Sequence, residues 1–450
     1  MSRVERLVLT IAVLASFVAF LDGSVINVAL PAITRELGGG LAVQQWVVDA
    51  YLITLGSLIL LAGSLSDVFG RIVVLRWGLA GFGVTSLACA VAPTSEFLIV
   101  ARGLQGVAGA LLVPSSLALI LSTFRDQVQG TAIGRWTAWT SAAFLLGPVL
   151  GGVFVDLLSW RLVFAINVVP IAITLWLLVR LGQRDEHRPG ASIDVPGALL
   201  AVVGLGAPVF ALIEQANYGW ASPVIWLPFS VGLLAFAAFI WRQRVATEPM
   251  MPLGLFRVRN FGFGNIATVA IYGALSLGGF VLTIYLQKYG GYSATLAGAA
   301  FLPVTVISVL LSSRFGTLSA RYGPRRFMTA GPIVAGIGFL LLTRAGESSA
   351  YLTHVLPGVL VFGLGLSMTV APLTAAILGS ISASQSGIGS AINNAVSRIA
   401  GLVAIALLGV IVGSSIDSGG FERGALVTAV LLFVGGAVSF AGIRNPARPA

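Results

Sequence analysis

"GSLSDVFGR" (residues 63–71) returns 253 positions later as "GTLSARYGPRR" (316–326). The shared pattern is G-x-L-S-x-x-aromatic-G, with arginine close behind. Each copy stands between two apolar runs, and its small, glycine-ended, basic composition is that of a short turn joining two helices. A repeat at this spacing in a chain of 450 residues implies two similar halves placed in parallel. Outward from both copies, the sequence is one apolar run after another.

Composition sets the class. The chain is 57% hydrophobic and 9% charged, whereas soluble domains carry about 25% charged residues. It reads as a polytopic membrane protein. The net charge of +10 is spread over short loops, with no aromatic-interleaved basic face, so no nucleic-acid partner is expected. One cysteine, Cys89, excludes a disulfide framework and a cysteine metal site. His187 and His354 have no metal-ligand spacing. Arg3 and Arg6 precede an apolar run that is too long for a cleaved signal peptide, so it is taken as the first span. No nucleophile–base set and no phosphate loop stands out among the 55 glycines. Neither an enzyme nor a cofactor is expected. No soluble segment is large enough to bind ATP, so an ion gradient would have to supply the energy.

A span needs about 20 apolar residues. Fourteen runs qualify, at roughly 7–33, 44–66, 74–92, 97–121, 131–155, 162–181, 195–213, 222–241, 261–286, 296–313, 327–343, 354–376, 392–413 and 424–442. With the N-terminus inside, nineteen arginines fall in cytoplasmic segments and five basic residues in outer loops. That bias places both termini in the cytoplasm. The expected organisation is a six-helix half over 1–181, an insert of two helices with polar linkers over 182–260, and a second six-helix half over 261–450.

The interior of the spans holds a second signal, "LDGSVINVALP" (21–31). A carboxylate deep in an apolar helix costs roughly 2.5–3.5 kcal/mol on insertion scales. At about 1.5 Å per residue, Asp22 lies roughly 24 Å into the first span. Asp49 in the second span and Arg102 in the fourth each lie roughly 8 Å from an outer end. Three ionisable groups thus share one depth band. Intramembrane charges usually face the bundle interior and pair. A carboxylate held between burial and a nearby arginine can titrate near neutral pH, and it can attract a cationic substrate. Competition of proton and substrate for one site would give exchange. The alternative is a static pair that fastens helices together.

These stretches resemble the major facilitator superfamily. Gly63, Asp67, Gly70, Arg71 and Arg76 resemble its cytoplasmic loop motif. Arg102, Gln105, Gly106 and Gly109 resemble its fourth-span motif. Gly147, Pro148, Gly151 and Gly152 resemble the fifth-span motif associated with exporters. "LDGSVINVALP", "SWRLVFAINVVP" (159–170), "DVPG" (194–197) and "FRVRNF" (256–261) are similar to the fourteen-span drug:proton antiporters. The resemblance implies an all-α membrane fold of two six-helix halves plus two inserted helices. It also implies proton-coupled export of lipophilic, cationic drugs by alternating access in a bacterial plasma membrane, with no metal. The alternative is a dedicated exporter of one antibiotic, metabolite or lipid. The expected partners are a small lipophilic substrate, protons and the lipid bilayer, and the expected form is a monomer.

By the resemblance, Asp22, Asp49 and Arg102 carry proton coupling, and Gly63, Asp67, Gly70 and Arg71 form a cytoplasmic gate. Ala320 replaces the acid in the second copy, so such a latch would be one-sided. Ala143, Gly147 and Gly151 make a smooth stripe suited to close helix contact, and Pro148 permits a kink. Phe20, Asn27 and Tyr272 are candidate pocket residues, and Trp136 and Trp139 candidate interface anchors. The last six spans offer Asn393, Asn394 and Arg398 in place of acids, which argues against export of dications.

Overall fold

The computed structural model describes residues 2–124, 126–182, 193–345, 350–382, 385–413 and 415–445. Most of the linker after the sixth span, together with Arg125, Arg184, Arg188 and Arg448, lies outside the described residues. Helices account for the secondary structure, and no strand occurs among the described residues. In lipid each backbone N–H and C=O must be satisfied within its own segment, which makes the helix the default for these apolar runs.

The helices are α1 (Arg3–Leu37), α2 (Gly40–Phe69), α3 (Arg71–Ala90), α4 (Ser95–Thr123) and α5 (Asp126–Leu157), followed by α6 (Leu162–Leu181), α7 (Val195–Tyr218) and α8 (Pro223–Val245). Then come α9 (Arg259–Lys288), α10 (Ala294–Tyr322), α11 (Pro324–Leu342), α12 (Tyr351–Leu378), α13 (Ser386–Val412) and α14 (Ser418–Gly442). Among the described residues, thirteen of these are long and apolar enough to cross a membrane, and Leu146–Leu157 of α5 is a shorter apolar stretch. Exposed large side chains such as Val84, Leu104, Leu234 and Val309 mark faces suited to lipid.

Local chemistry sets the helix ends. Ser2 accepts from the Glu5 amide at 3.1 Å while Glu5 accepts from the Ser2 amide at 2.7 Å, a reciprocal cap that opens α1. Both copies of the quoted repeat turn on a left-handed glycine. Gly70 has φ 93° and ψ 149°, and Gly323 has φ 89° and ψ 147°. Their amides donate to Ser66 and Ser319 carbonyls at 3.0 and 2.8 Å. A Cβ would be strained in that conformation, so the repeated glycine fixes the reversal between α2 and α3 and again between α10 and α11.

The chain divides into two compact units. One comprises residues 1–211, 220–250 and 293–295, the other 212–219, 251–292 and 296–450. In the first, α1 packs on α5, α4 on α2 and α3, and α6 on α1 and α3. In the second, α9 packs on α13, α12 on α10 and α11, and α14 on α9 and α11. The pairings correspond one for one, so the sequence repeat is also a repeat of internal packing.

The α7–α8 hairpin is tied at its base by the "DVPG" aspartate. Asp194 accepts from the Gly197 amide at 3.0 Å, from Gln243 Nε2 at 3.2 Å and from Arg242 Nε. Burial works against its charge, yet the Arg242 hydrogen bond and the Gly197 and Gln243 donors hold the carboxyl below the usual carboxylate range.

Candidate functional site

The first unit contains a closed polar network inside its helices. Arg102 on α4 is fully buried. Its Nη1 donates to Asp22 Oδ2 at 2.6 Å and to Gln105 Oε1 at 2.6 Å, and its Nε donates to the Val47 carbonyl at 3.0 Å. Gln105, one turn along α4, donates to Asp22 Oδ1 at 3.1 Å and to Ser86 Oγ at 2.9 Å. Asn167 on α6 donates to the same two oxygens at 3.0 and 3.3 Å. Cys89 Sγ lies 3.7 Å from Gln105 Oε1. The guanidinium carbon also stands 4.3 Å from the Tyr51 ring centroid and 5.7 Å from that of Phe164. Five helices therefore converge on one ion pair.

Such a pair is expensive to enclose unless the geometry is good and the remaining donors and acceptors are satisfied. Here Asp22 receives three side-chain N–H donors, from Arg102, Gln105 and Asn167. Asp22 and Arg102, which the sequence puts in one depth band, are in direct contact.

Asp49 stands apart. It is fully buried, and neither carboxylate oxygen has a hydrogen-bond partner among the described residues. Its neighbours on α2 explain this. The Val47 carbonyl and the Tyr51 ring both meet Arg102, being one turn apart on the same face. Asp49 is two residues past Val47, which rotates it by about 200° to the far side of the helix. Depth alone grouped the three ionisable residues, and helix rotation separates one of them.

Glycines let the surrounding helices close around the network. A Cβ on Gly106 would run into Thr54 and the Tyr51 carbonyl, where α4 meets α2. Gly147 presses on Ser24, and Gly151 on Val25 and Val28. The α5 stripe thus seats on α1 within a turn or two of Asp22. Ala143 on the same stripe is fully buried. Gly152 lies against the backbone of Ala294 and Thr295, and Asp156 accepts from the amides of those two residues at 3.0 and 2.8 Å. Trp136 is no interface anchor: it is buried, and its Nε1 donates to Ser16 Oγ at 3.0 Å, which in turn lies 2.6 Å from Ser116 Oγ. Trp139 is exposed.

The loop residues Asp67 and Arg71 are partly exposed on either side of Gly70, and a Cβ at Gly63 would meet open space. Phe20 and Asn27 are half-buried, seven residues apart on α1 and so on one face. Tyr272 is half-buried on α9, in the second unit. In that unit Asn393 donates to Asn265 Oδ1 at 3.1 Å and to Thr268 Oγ1 at 2.9 Å, joining α13 to α9. Sequence reading missed Ser86, Cys89 and Asn167 as members of the Asp22 network. The signal for Asn167 was present, since it is a lone amide inside the apolar run of "SWRLVFAINVVP". Among the described residues no group of three or more His, Cys, Asp or Glu side chains could hold a metal ion.

Comparison with known proteins follows the same direction. The sequence profile described as Major Facilitator Superfamily matches residues 12–405. The methylenomycin A resistance protein of Streptomyces coelicolor is 34% identical, the match covering 96% of this chain and 90% of that protein. The Multidrug resistance protein Stp of Mycobacterium tuberculosis is 34% identical, with 91% and 76% covered. The tetracenomycin C resistance and export protein of Streptomyces glaucescens is 32% identical, with 91% and 76% covered. Among solved structures, a POT family transporter in complex with 5-aminolevulinic acid superposes with a TM-score of 0.73 at 12% identity, covering 97% of this chain and 95% of that one. A D-xylose-proton symporter gives 0.69 at 14% identity, covering 98% of each. At these identities the two structures share the fold.

Proposed function

This chain belongs to the major facilitator superfamily, and from that premise we propose that it is a proton-driven exporter of lipophilic drug-like compounds working by alternating access. The relatives named for resistance and export support the direction of transport and the class of cargo. As a member of a family of transporters and not of enzymes, it moves its substrate unchanged across the membrane.

The observation that carries the coupling is the enclosed Asp22–Arg102 pair. An ion pair inside a membrane helix bundle links charge to packing. While Asp22 is ionised it holds Arg102, Gln105 and Asn167, and through them α1, α4 and α6. Delivery of a proton to Asp22 cancels one half of the pair. Arg102 then keeps Gln105 and the Val47 carbonyl, and α1 is freed from its strongest tie. The Gly147–Gly151 stripe lets α1 slide against α5 once released, since no side chain of those glycines interlocks with it. Asp49 supplies a second carboxyl outside the network. It is fully enclosed and has no hydrogen-bond partner among the described residues. A membrane potential of 100 mV contributes roughly 2.3 kcal/mol per charge moved, so one proton per cycle is a meaningful drive.

The test is efflux of ethidium from energised cells, with wild type and Asp22→Asn at matched expression. Wild type should extrude the dye. A protonophore and the substitution should each reduce the rate at least tenfold, and Asp49→Asn should lower it less. Persistent export by Asp22→Asn would move the switch to Asp49. A second reading is favoured by the relatives named for one antibiotic: a dedicated exporter. Failure of wild type to move ethidium, with protection against a single antibiotic in a resistance panel, would select it.

A further inference from the structure

The second unit carries its arginines unmatched by acids of its own at the end predicted to face the cytoplasm. No Asp or Glu occurs between Glu248 and Glu347 or after Glu422. Arg257, Arg259, Arg321, Arg325, Arg326 and Arg444 all lie in those stretches. This end is built by the start of α9, the start of α11 and the end of α14. Arg259 donates to the Gly442 and Ala441 carbonyls at 2.8 and 2.9 Å, and Asn260 and Arg444 exchange hydrogen bonds at 2.9 Å.

Beside it, α11 and α14 border an open groove of about 600 Å³. Its floor is apolar, formed by Ala330, Ile333 and Phe440. Ile333 is 38% exposed and Phe440 59%, so the floor is open on the side facing away from the bundle. Arg325 and Arg326 form its rim. Arg325 is fixed there: its amide donates to Asn445 Oδ1 at 3.1 Å, its Nε donates to the Phe440 carbonyl at 2.8 Å, and its guanidinium carbon lies 4.6 Å from the Phe440 ring centroid. Arg326 is exposed, and among the described residues it makes no hydrogen bond or ion pair. A smaller groove of about 290 Å³, lined by Arg257, Arg259, Phe263 and Ile266, repeats the same combination of arginine rim and apolar wall.

We propose that the α11–α14 groove is a binding site for an anionic phospholipid, with the phosphate headgroup on Arg326 and Arg325 and an acyl chain along Ile333 and Phe440. Basic pockets between helices at the cytoplasmic level attract anionic headgroups. The apolar floor excludes a soluble anion as the full occupant, because a free phosphate would meet the rim alone and leave the floor bare. A neutral lipid would cover the floor and leave two guanidinium groups unanswered. This inference stands on the groove and is independent of the transport reading.

The experiment uses the full chain, purified in neutral detergent. Thermal unfolding is followed while phosphatidylglycerol, phosphatidylcholine or inorganic phosphate is added. Phosphatidylglycerol should raise Tm at concentrations where the other two do not. Arg326→Gln and Ile333→Trp, which remove the rim charge and fill the floor, should each weaken that response at least tenfold. Arg321→Gln, an exposed arginine on α10 outside the groove, should leave it unchanged. Equal responses to phosphatidylglycerol and phosphatidylcholine would overturn the proposal. So would a full response to phosphate alone, a loss in Arg321→Gln as large as in Arg326→Gln, or wild-type behaviour of both groove variants.

Discussion

Arg102 divides its donors among Asp22, Gln105 and the Val47 carbonyl, and a planar fork suits that division better than a point charge. Removing it would strand Asp22 in a closed interior. Arg102→Met should therefore destabilise the protein by about 3–5 kcal/mol. The double variant Asp22→Asn/Arg102→Met should recover most of that loss, since no uncompensated charge remains, while dye efflux stays absent. Chemical unfolding of the purified variants checks the first outcome, and a double-mutant cycle separates the pair from its surroundings. The residues of this site were legible in the sequence to different degrees. Asp22 and Arg102 announced themselves as charges in apolar runs, at matching depth. Ser86 did not, because small polar residues are common in membrane helices, and Asn167 did so only as an amide in an apolar run; the rotation of α3 and α6 shows that they face Asp22. Asp49 was as legible as Asp22, yet it lies outside the network. A 3.6-residue period turns it away from the face that Val47 and Tyr51 present to Arg102.

At the scale of elements, the glycine at each α2–α3 type of turn is the most constrained position in the repeat. With φ near +90° and an extended ψ, Gly70 and Gly323 occupy backbone territory reserved almost wholly for glycine. Gly70→Val and Gly323→Val should each cost about 1–3 kcal/mol. At Gly323 a Cβ would also collide with Asn445. Thermal melts of the two variants test the size. These turns were readable in advance because glycine and arginine mark them directly. The pairing of helices was not readable from one copy alone. It became so through the repeat, which required any contact of α1 with α5 to have a counterpart between α9 and α13. The α5 stripe of Ala143, Gly147 and Gly151 signalled a close neighbour without saying which, and α1 is that neighbour.

For the whole molecule, the distribution of arginine makes a topological prediction. Both termini and the linker after α8 should be cytoplasmic, and the turn between α7 and α8 should lie outside. In a Cys89→Ser background, Ala221→Cys should react with a membrane-impermeant maleimide in intact cells, and Thr247→Cys should react only after lysis. The reverse pattern would overturn the cytoplasmic placement of the termini. The two copies of the repeat also differ in how they carry charge. The Asp22–Arg102 network lies wholly in the first unit. The helices α9 to α14 carry no acid except Glu422, the fifth residue of α14. Mutations in those helices leave the network untouched. On the proposed coupling through Asp22, substitutions that keep the fold of the second copy leave the charged network of the first intact, so the two copies of the repeat are free to diverge in sequence at different rates.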